Sequence, residues 1–155
     1  MEELRVPKRA VQVELTLQDG VSRKVEIYLS EFASNHAGGE RLSEMLNTDV
    51  FLAARDLQLN KVSLLNSASV MVARVAREVE ATDDAEAHTI PTEHDVEVTL
   101  HGRAVIRGLL SYVLPPERAR LVDYLNSCPR FIPLLEADQL ALINRSYIAA
   151  VNVVR

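Results

Sequence analysis

What most constrains the fold of this chain is a short stretch that it writes twice. Residues 40–47 read ERLSEMLN and residues 119–126 read ARLVDYLN. The segments around each copy follow in the same order, as internal repeats require. Upstream, Val13-Glu-Leu-Thr-Leu17 answers Val96-Glu-Val-Thr-Leu100, each running into a polar turn, Gln18-Asp-Gly20 and His101-Gly102. A second apolar run follows, Val25 to Leu29 in one copy and Ala104 to Leu114 in the other. Downstream, Phe51-Leu-Ala-Ala54 answers Phe131-Ile-Pro-Leu134, and Leu64-Leu-Asn-Ser67 answers Leu142-Ile-Asn-Arg145. Val70 to Val75 and Ile148 to Val153 close the two copies. The offset drifts from 83 to 78 residues along this series, as small loop insertions and deletions produce. The chain reads as a degenerate tandem duplication.

Each copy spans about 60 residues, a size at which a lone core is marginal, so the two are expected to pack against each other. Trp is absent and aromatics make up 5% of the chain, so the core must be aliphatic. Residues 1–78 form the first unit, 79–94 an acidic linker and 95–155 the second unit. Eight acids fall between Glu78 and Glu97 with no Lys or Arg among them, the mark of a solvated connection.

Within each unit the periodicity is that of strands. Val11, Val13, Leu15 and Leu17 alternate with Gln12, Glu14, Thr16 and Gln18, which argues for a half-buried strand. Asp19-Gly20 is a hairpin signal, and Val25, Ile27 and Leu29 return. The repeated stretch is a short helix, with Leu42, Met45 and Leu46 on one face. Its counterpart is expected over 117–126, entered through Pro116, with Leu121, Tyr124 and Leu125 inward. Asn47 and Asn126 stand where a left-handed helix C-cap is expected. Strands then follow over 51–54 and 61–66, and over 131–135, 139–144 and 147–154; repeat logic extends a strand through about Val75. The fold class is therefore mainly β with short helices (α+β). Its architecture is two tandem, pseudo-symmetric β-β-α-β-β units of the small SH3-like or Sm-like barrel kind. RLSEMLN and RLVDYLN, the Phe-led strand after each, and LINRSYIAAV together resemble small bacterial β domains of unknown function. The resemblance covers both copies; it implies a small β domain and brings no activity or site with it.

Charge and motif content exclude more than they identify. The net charge of −5 divides as −2 over residues 1–80 (10 basic, 12 acidic) and −3 over 81–155 (7 basic, 10 acidic). Neither half has the basic excess that phosphate neutralisation needs, so nucleic acid is disfavoured. No apolar run reaches the length of a membrane helix, and the opening MEELRVPKRA lacks a signal-peptide core; a cytoplasmic protein is expected. Gly38-Gly39 lacks the spacing and lysine of a phosphate loop, and neither CxxC nor HExxH occurs. His88 and His94 lie among Asp83, Asp84, Glu86, Glu93 and Asp95, which the charge pattern assigns to a solvated linker rather than a cation site. Cys128 has no base beside it in sequence. No catalytic residue, cofactor or metal is implied.

The candidate contacts for a protein partner are Arg41 and Arg120, each three residues before an acid (Glu44, Asp123), and Arg145 and Tyr147 in the polar turn NRSY. Arg and Tyr are enriched at interface hot spots, although helix-surface ion pairs and an ordinary turn account for the same pattern. The expected function is a non-catalytic protein-interaction or scaffold module, with homo-oligomerisation through open sheet edges as one form of it. Two alternatives make different demands. A nucleic-acid-binding Sm-like or SH3-like protein needs Arg41, Arg103, Arg107, Arg118, Arg120 and Arg130 on one face. A small-ligand sensor or enzyme needs an enclosed pocket between the units.

Overall fold

The computed structural model describes residues 8–33, 38–80 and 90–154. The described residues are mostly β, with ten antiparallel strands in one open sheet and two short helices among them. The first half runs β1 (Lys8–Leu17), β2 (Ser22–Ser30), α1 (Leu42–Thr48), β3 (Phe51–Asp56), β4 (Lys61–Asn66), a 3-10 turn (Ser67–Ser69) and β5 (Val70–Val75). The second runs β6 (Thr92–Leu100), β7 (Val105–Tyr112), α2 (Leu121–Ser127), β8 (Phe131–Leu135), β9 (Leu140–Asn144), a 3-10 turn (Arg145–Tyr147) and β10 (Ile148–Val153). The sheet order is β10-β6-β7-β8-β9-β5-β1-β2-β3-β4. The same five-strand order therefore occurs twice, end to end.

The correspondence extends to hydrogen bonds. Leu17 lies opposite Val70 and Thr16 opposite Val72, with a bulge between; Leu100 lies opposite Ile148 and Thr99 opposite Ala150, with a bulge at the same place. The Gln18 N–H donates to the Ser69 carbonyl at 3.0 Å and the His101 N–H to the Tyr147 carbonyl at 2.8 Å. The Asn66 and Asn144 side chains each accept from the backbone two residues on, capping the two 3-10 turns. The Asp19-Gly20 turn forms as its residues demand: Gly20 adopts φ +82° and the Asp19 carboxylate accepts the Val21 N–H at 2.9 Å.

The halves are joined by β5 and β9, which pair antiparallel with Val72 opposite Ile143, Ala73 opposite Leu142, Arg74 opposite Ala141 and Val75 opposite Leu140. Strands at this joint are covered on both faces. On one face Val70, Ala73 and Val75 of β5, Leu142 of β9 and Phe131 of β8 enter a core built on Val13, Leu15, Val25, Ile27, Leu29, Leu42 and Leu46. On the other, Met71 and Val72 join Ala141, Ile143, Ile132 and Leu134 in a core with Val96, Val98, Ile106 and Leu110. Each half thus completes the other's core. Full burial of a side chain such as Phe131 or Leu142 contributes about 1.5–3 kcal/mol, which supports two units whose separate cores are marginal in size.

Three expectations change. Asn47 lies inside α1 and the helix ends at Asp49 with φ −88°; among the described residues only Asn60 and Arg103 combine a side chain with positive φ. The second helix begins at Leu121, because Pro115-Pro116 starts a separate 3-10 turn, Pro116–Arg118. And β6 begins at Thr92, so Glu93 and Asp95 are strand residues on its exposed face; residues 81–89 of the acidic segment, with His88, lie outside the described residues.

Gly108 in β7 is fixed by close approach: a Cβ there would stand 2.5 Å from the Leu135 carbonyl oxygen and 2.8 Å from Leu134 Cγ. Gly108→Ala is expected to remove about 1–3 kcal/mol of stability, the usual effect of overpacking, read as a lowered urea midpoint.

Candidate functional site

A set of polar side chains links the two halves where they meet. Asn47 at the end of α1 accepts the Phe131 N–H through its Oδ1 at 2.8 Å, across 84 residues of sequence. Asn144, fully buried, donates its Nδ2 to the Val70 carbonyl at 3.0 Å while its Oδ1 caps its own 3-10 turn. Arg74 Nε meets Glu136 Oε1 at 3.0 Å, and Arg77 Nη2 donates to the Glu136 and Ala137 carbonyls at 2.8 and 2.6 Å. Beside this joint, the β1–β2 and β6–β7 turns flank an open groove of about 490 Å3, lined by Thr16, Asp19, Arg74, His101 and apolar residues of β5 and β7. It is a cleft between hairpins, not the enclosed pocket a sensor or enzyme needs.

The four candidate contacts fall in different places. Tyr147 serves the joint: its hydroxyl donates to the Ala68 carbonyl at 2.8 Å and lies 3.2 Å from Gln18 Oε1. Arg145, in the same turn, donates from Nη1 to the Cys128 carbonyl. Arg120 is exposed and ion-paired to Asp123 through Nε at 3.0 Å and Nη2 at 3.1 Å. Arg41 precedes α1, partly buried, and its N–H donates to the Glu44 carboxylate at 2.8 Å. Of the other arginines named for nucleic acid, Arg107 pairs with Glu97 at 2.9 Å and Arg130 reaches Ser67 Oγ at 3.4 Å. Sequence reasoning missed Asn47 and Asn144; the signal was present in the repetition of asparagine at both positions of both copies.

Titratable groups away from the joint are structural. Tyr112 and Tyr124 stack with centroids 4.4 Å apart and planes 6° apart. Burial, then the neighbouring Cys128 and Tyr112, push the Tyr124 phenol up to about 12. The Tyr112 hydroxyl donates to the Ala119 carbonyl at 2.8 Å, leaving His94 Nε2, at 3.2 Å, as the donor to it. Cys128 is buried with Sγ 3.4 Å from the Leu125 carbonyl. Among the described residues no three His, Cys, Asp or Glu side chains come together as metal ligands would, and no helix is long and apolar enough to cross a membrane. Comparison with family models, with curated proteins and with solved structures found no match.

What the arrangement leaves open is its two ends. Among the described residues, strand β4 pairs only with β3, and β10 only with β6. Around β4, Phe51, Val62 and Leu64 are 59%, 64% and 73% exposed. An unguarded edge flanked by apolar side chains is a template for another chain.

Two outcomes follow. Asn144→Ala strips a buried partner from the Val70 carbonyl and should lower stability by about 1–3 kcal/mol. Asn66→Ala, which removes only a turn cap, should lower it less; denaturant titration of both variants measures the difference. Glu80 is raised above the ordinary glutamate range, first by burial, although its Oε2 accepts the Ser43 N–H of α1 at 3.2 Å. A raised folded value means that its contribution is complete below the unfolded pKa and lost as pH rises through the folded one. Melting temperatures taken across and above the usual carboxylate range should therefore fall with rising pH in the native protein by an increment that Glu80→Gln abolishes.

Proposed function

We propose that the chain is a non-catalytic protein-interaction or scaffold module, built from a tandemly duplicated small β domain of the SH3-like or Sm-like kind. Support for the duplication is the paired register: two five-strand groups share strand order, bulge position, a helix after the second strand and an asparagine-capped 3-10 turn before the fifth. The interaction reading rests on the β4 edge with Phe51, Val62 and Leu64 turned to solvent. A partner adding a strand to an open edge gains backbone hydrogen bonds there and side-chain contacts on either face.

The test is the hydrodynamic size of the tagged protein in its native extract. The native chain should travel in an assembly larger than one molecule, and Leu64→Lys, which sets a charge on the exposed edge without touching the core, should return it to single-chain size. A native chain that travels alone, or an assembly that Leu64→Lys leaves intact, refutes an edge-borne function.

A further inference from the structure

The joint between the halves is also a description of what is missing at the two ends. The strand that would continue the sheet past β4 is a β5 or its counterpart, β10. The strand that would continue it past β10 is a β9 or its counterpart, β4. One molecule offers β4 at one end and β10 at the other. We infer that the partner is a second copy of this chain, docked head to tail so that β4 of one copy pairs with β10 of the next as β9 pairs with β5 within the chain. This inference rests on the edge-borne reading above and names its occupant.

Three separate asymmetries between the halves share this explanation. First, Phe51, Val62 and Leu64 are the counterparts of Phe131, Leu140 and Leu142 (offsets of 80, 78 and 78). The second-half set enters the first half's core, with Phe131 at 1% exposure and Leu142 at 0%; its first-half counterparts are the exposed ones. Second, α1 buries Leu42 and Leu46, whereas α2 buries none of its residues and leaves Leu121 and Leu125 only partly covered. Helix α1 lies against β8 of the other half; β3, the counterpart of β8, comes to α2 only from a second copy. Third, β5 is buried except at Arg74, while Ala149, Ala150 and Val153 of β10 are exposed. An unrelated peptide would cover a strand edge, but it would not also supply a β3 to α2.

The polar devices are duplicated with the apolar ones. Asn66 caps its turn as Asn144 does, and its amide is placed to donate to the Ile148 carbonyl of the next copy, as Asn144 donates to Val70. Asn126 stands ready for the Phe51 N–H of the next copy, as Asn47 takes that of Phe131. Subtracting and adding the offset of 78 to the internal register gives the joint: Ala150 opposite Leu65, Val151 opposite Leu64, Asn152 opposite Ser63 and Val153 opposite Val62. Three polar contacts are not reproduced: the Arg74–Glu136 pair becomes Asn152 with Asp56, Tyr147, which reaches Ala68, becomes Ser69, and Arg130, which reaches Ser67, becomes Val50. The intermolecular joint is accordingly weaker than the internal one. Because it is heterologous, it repeats until the assembly closes as a ring or continues as a filament.

The experiment uses the purified protein alone. Light scattering behind size exclusion at about 0.1 mM, a concentration that detects even modest affinity, should show multiples of the chain, and Leu64→Lys should give single chains that melt where the native chain melts once diluted to single molecules. On a Cys128→Ala background, Ser63→Cys combined with Asn152→Cys should crosslink copies into a ladder on mild oxidation. Ser63→Cys combined with Val154→Cys, out of register, should not. Single chains at that concentration, or association indifferent to both the charge and the register, overturn the inference. A chain that is single when pure but large in extract in a Leu64-dependent manner would overturn self-assembly and leave the edge-borne module standing. A chain that is single in both removes the two together.

Discussion

Everything else in the molecule depends on the pairing of β5 with β9. Those strands share four opposed residue pairs, and the pairing turns two groups of five strands into one sheet covered on both faces at its centre. Without it Phe131 and Leu142 would leave the first core, and Met71 and Val72 the second. Units of about 60 residues sit near the limit at which a core sustains itself, so the joint is the source of stability and not an ornament on two finished domains. That is also why the most buried polar side chain with an amide, Asn144, lies there: a backbone carbonyl at a covered bulge needs a donor, and only a side chain reaches it.

The same dependence sets the character of the ends. Strands with one neighbour are ordinarily blunted by charge or proline. Here β4 carries a single lysine, Lys61, at its start, and its interior turns Val62 and Leu64 outward. The helices follow suit, since α1 has a strand of the other half beneath it and α2 does not. Differences that look like divergence between two copies, such as buried against half-buried leucines at matched helix positions, are differences in neighbourhood. The leucines themselves, Leu42 with Leu121 and Leu46 with Leu125, are the same residue at matched positions.

Much of this was legible in the chain. Period-two alternation around Val13 and Leu15, the Asp19-Gly20 turn and the ordered landmarks at offsets of 78 to 83 are local signals, and strands, hairpin and internal symmetry follow from them. The short helix was visible for the same reason, from Leu42 and Leu46 at i and i+4. What was misread has a common physical origin. The asparagine that ends each repeated stretch has the chemistry of a C-cap, and nothing local distinguishes that role from the one Asn47 takes, accepting an N–H 84 residues away. The acidic residues of β6 have the composition of a linker; their alternation with Val96 and Val98 makes them strand residues because one face of that strand is solvated. Tyr147, named as a candidate contact, also reaches Gln18 and Ala68 of the opposite half, a pairing no local pattern reveals.

The sequence by itself determined the elements, their order within each half and the fact that there are two halves, because hydrophobic period and turn chemistry act over a few residues. Only the tertiary structure decided which strand of one half meets which strand of the other, since β4, β5, β9 and β10 are all short aliphatic strands that the sequence leaves equally ready to pair. That choice, β5 with β9, fixes which apolar residues are covered and which face water. It makes Phe131 core and Phe51 surface, though the chain writes them in equivalent places.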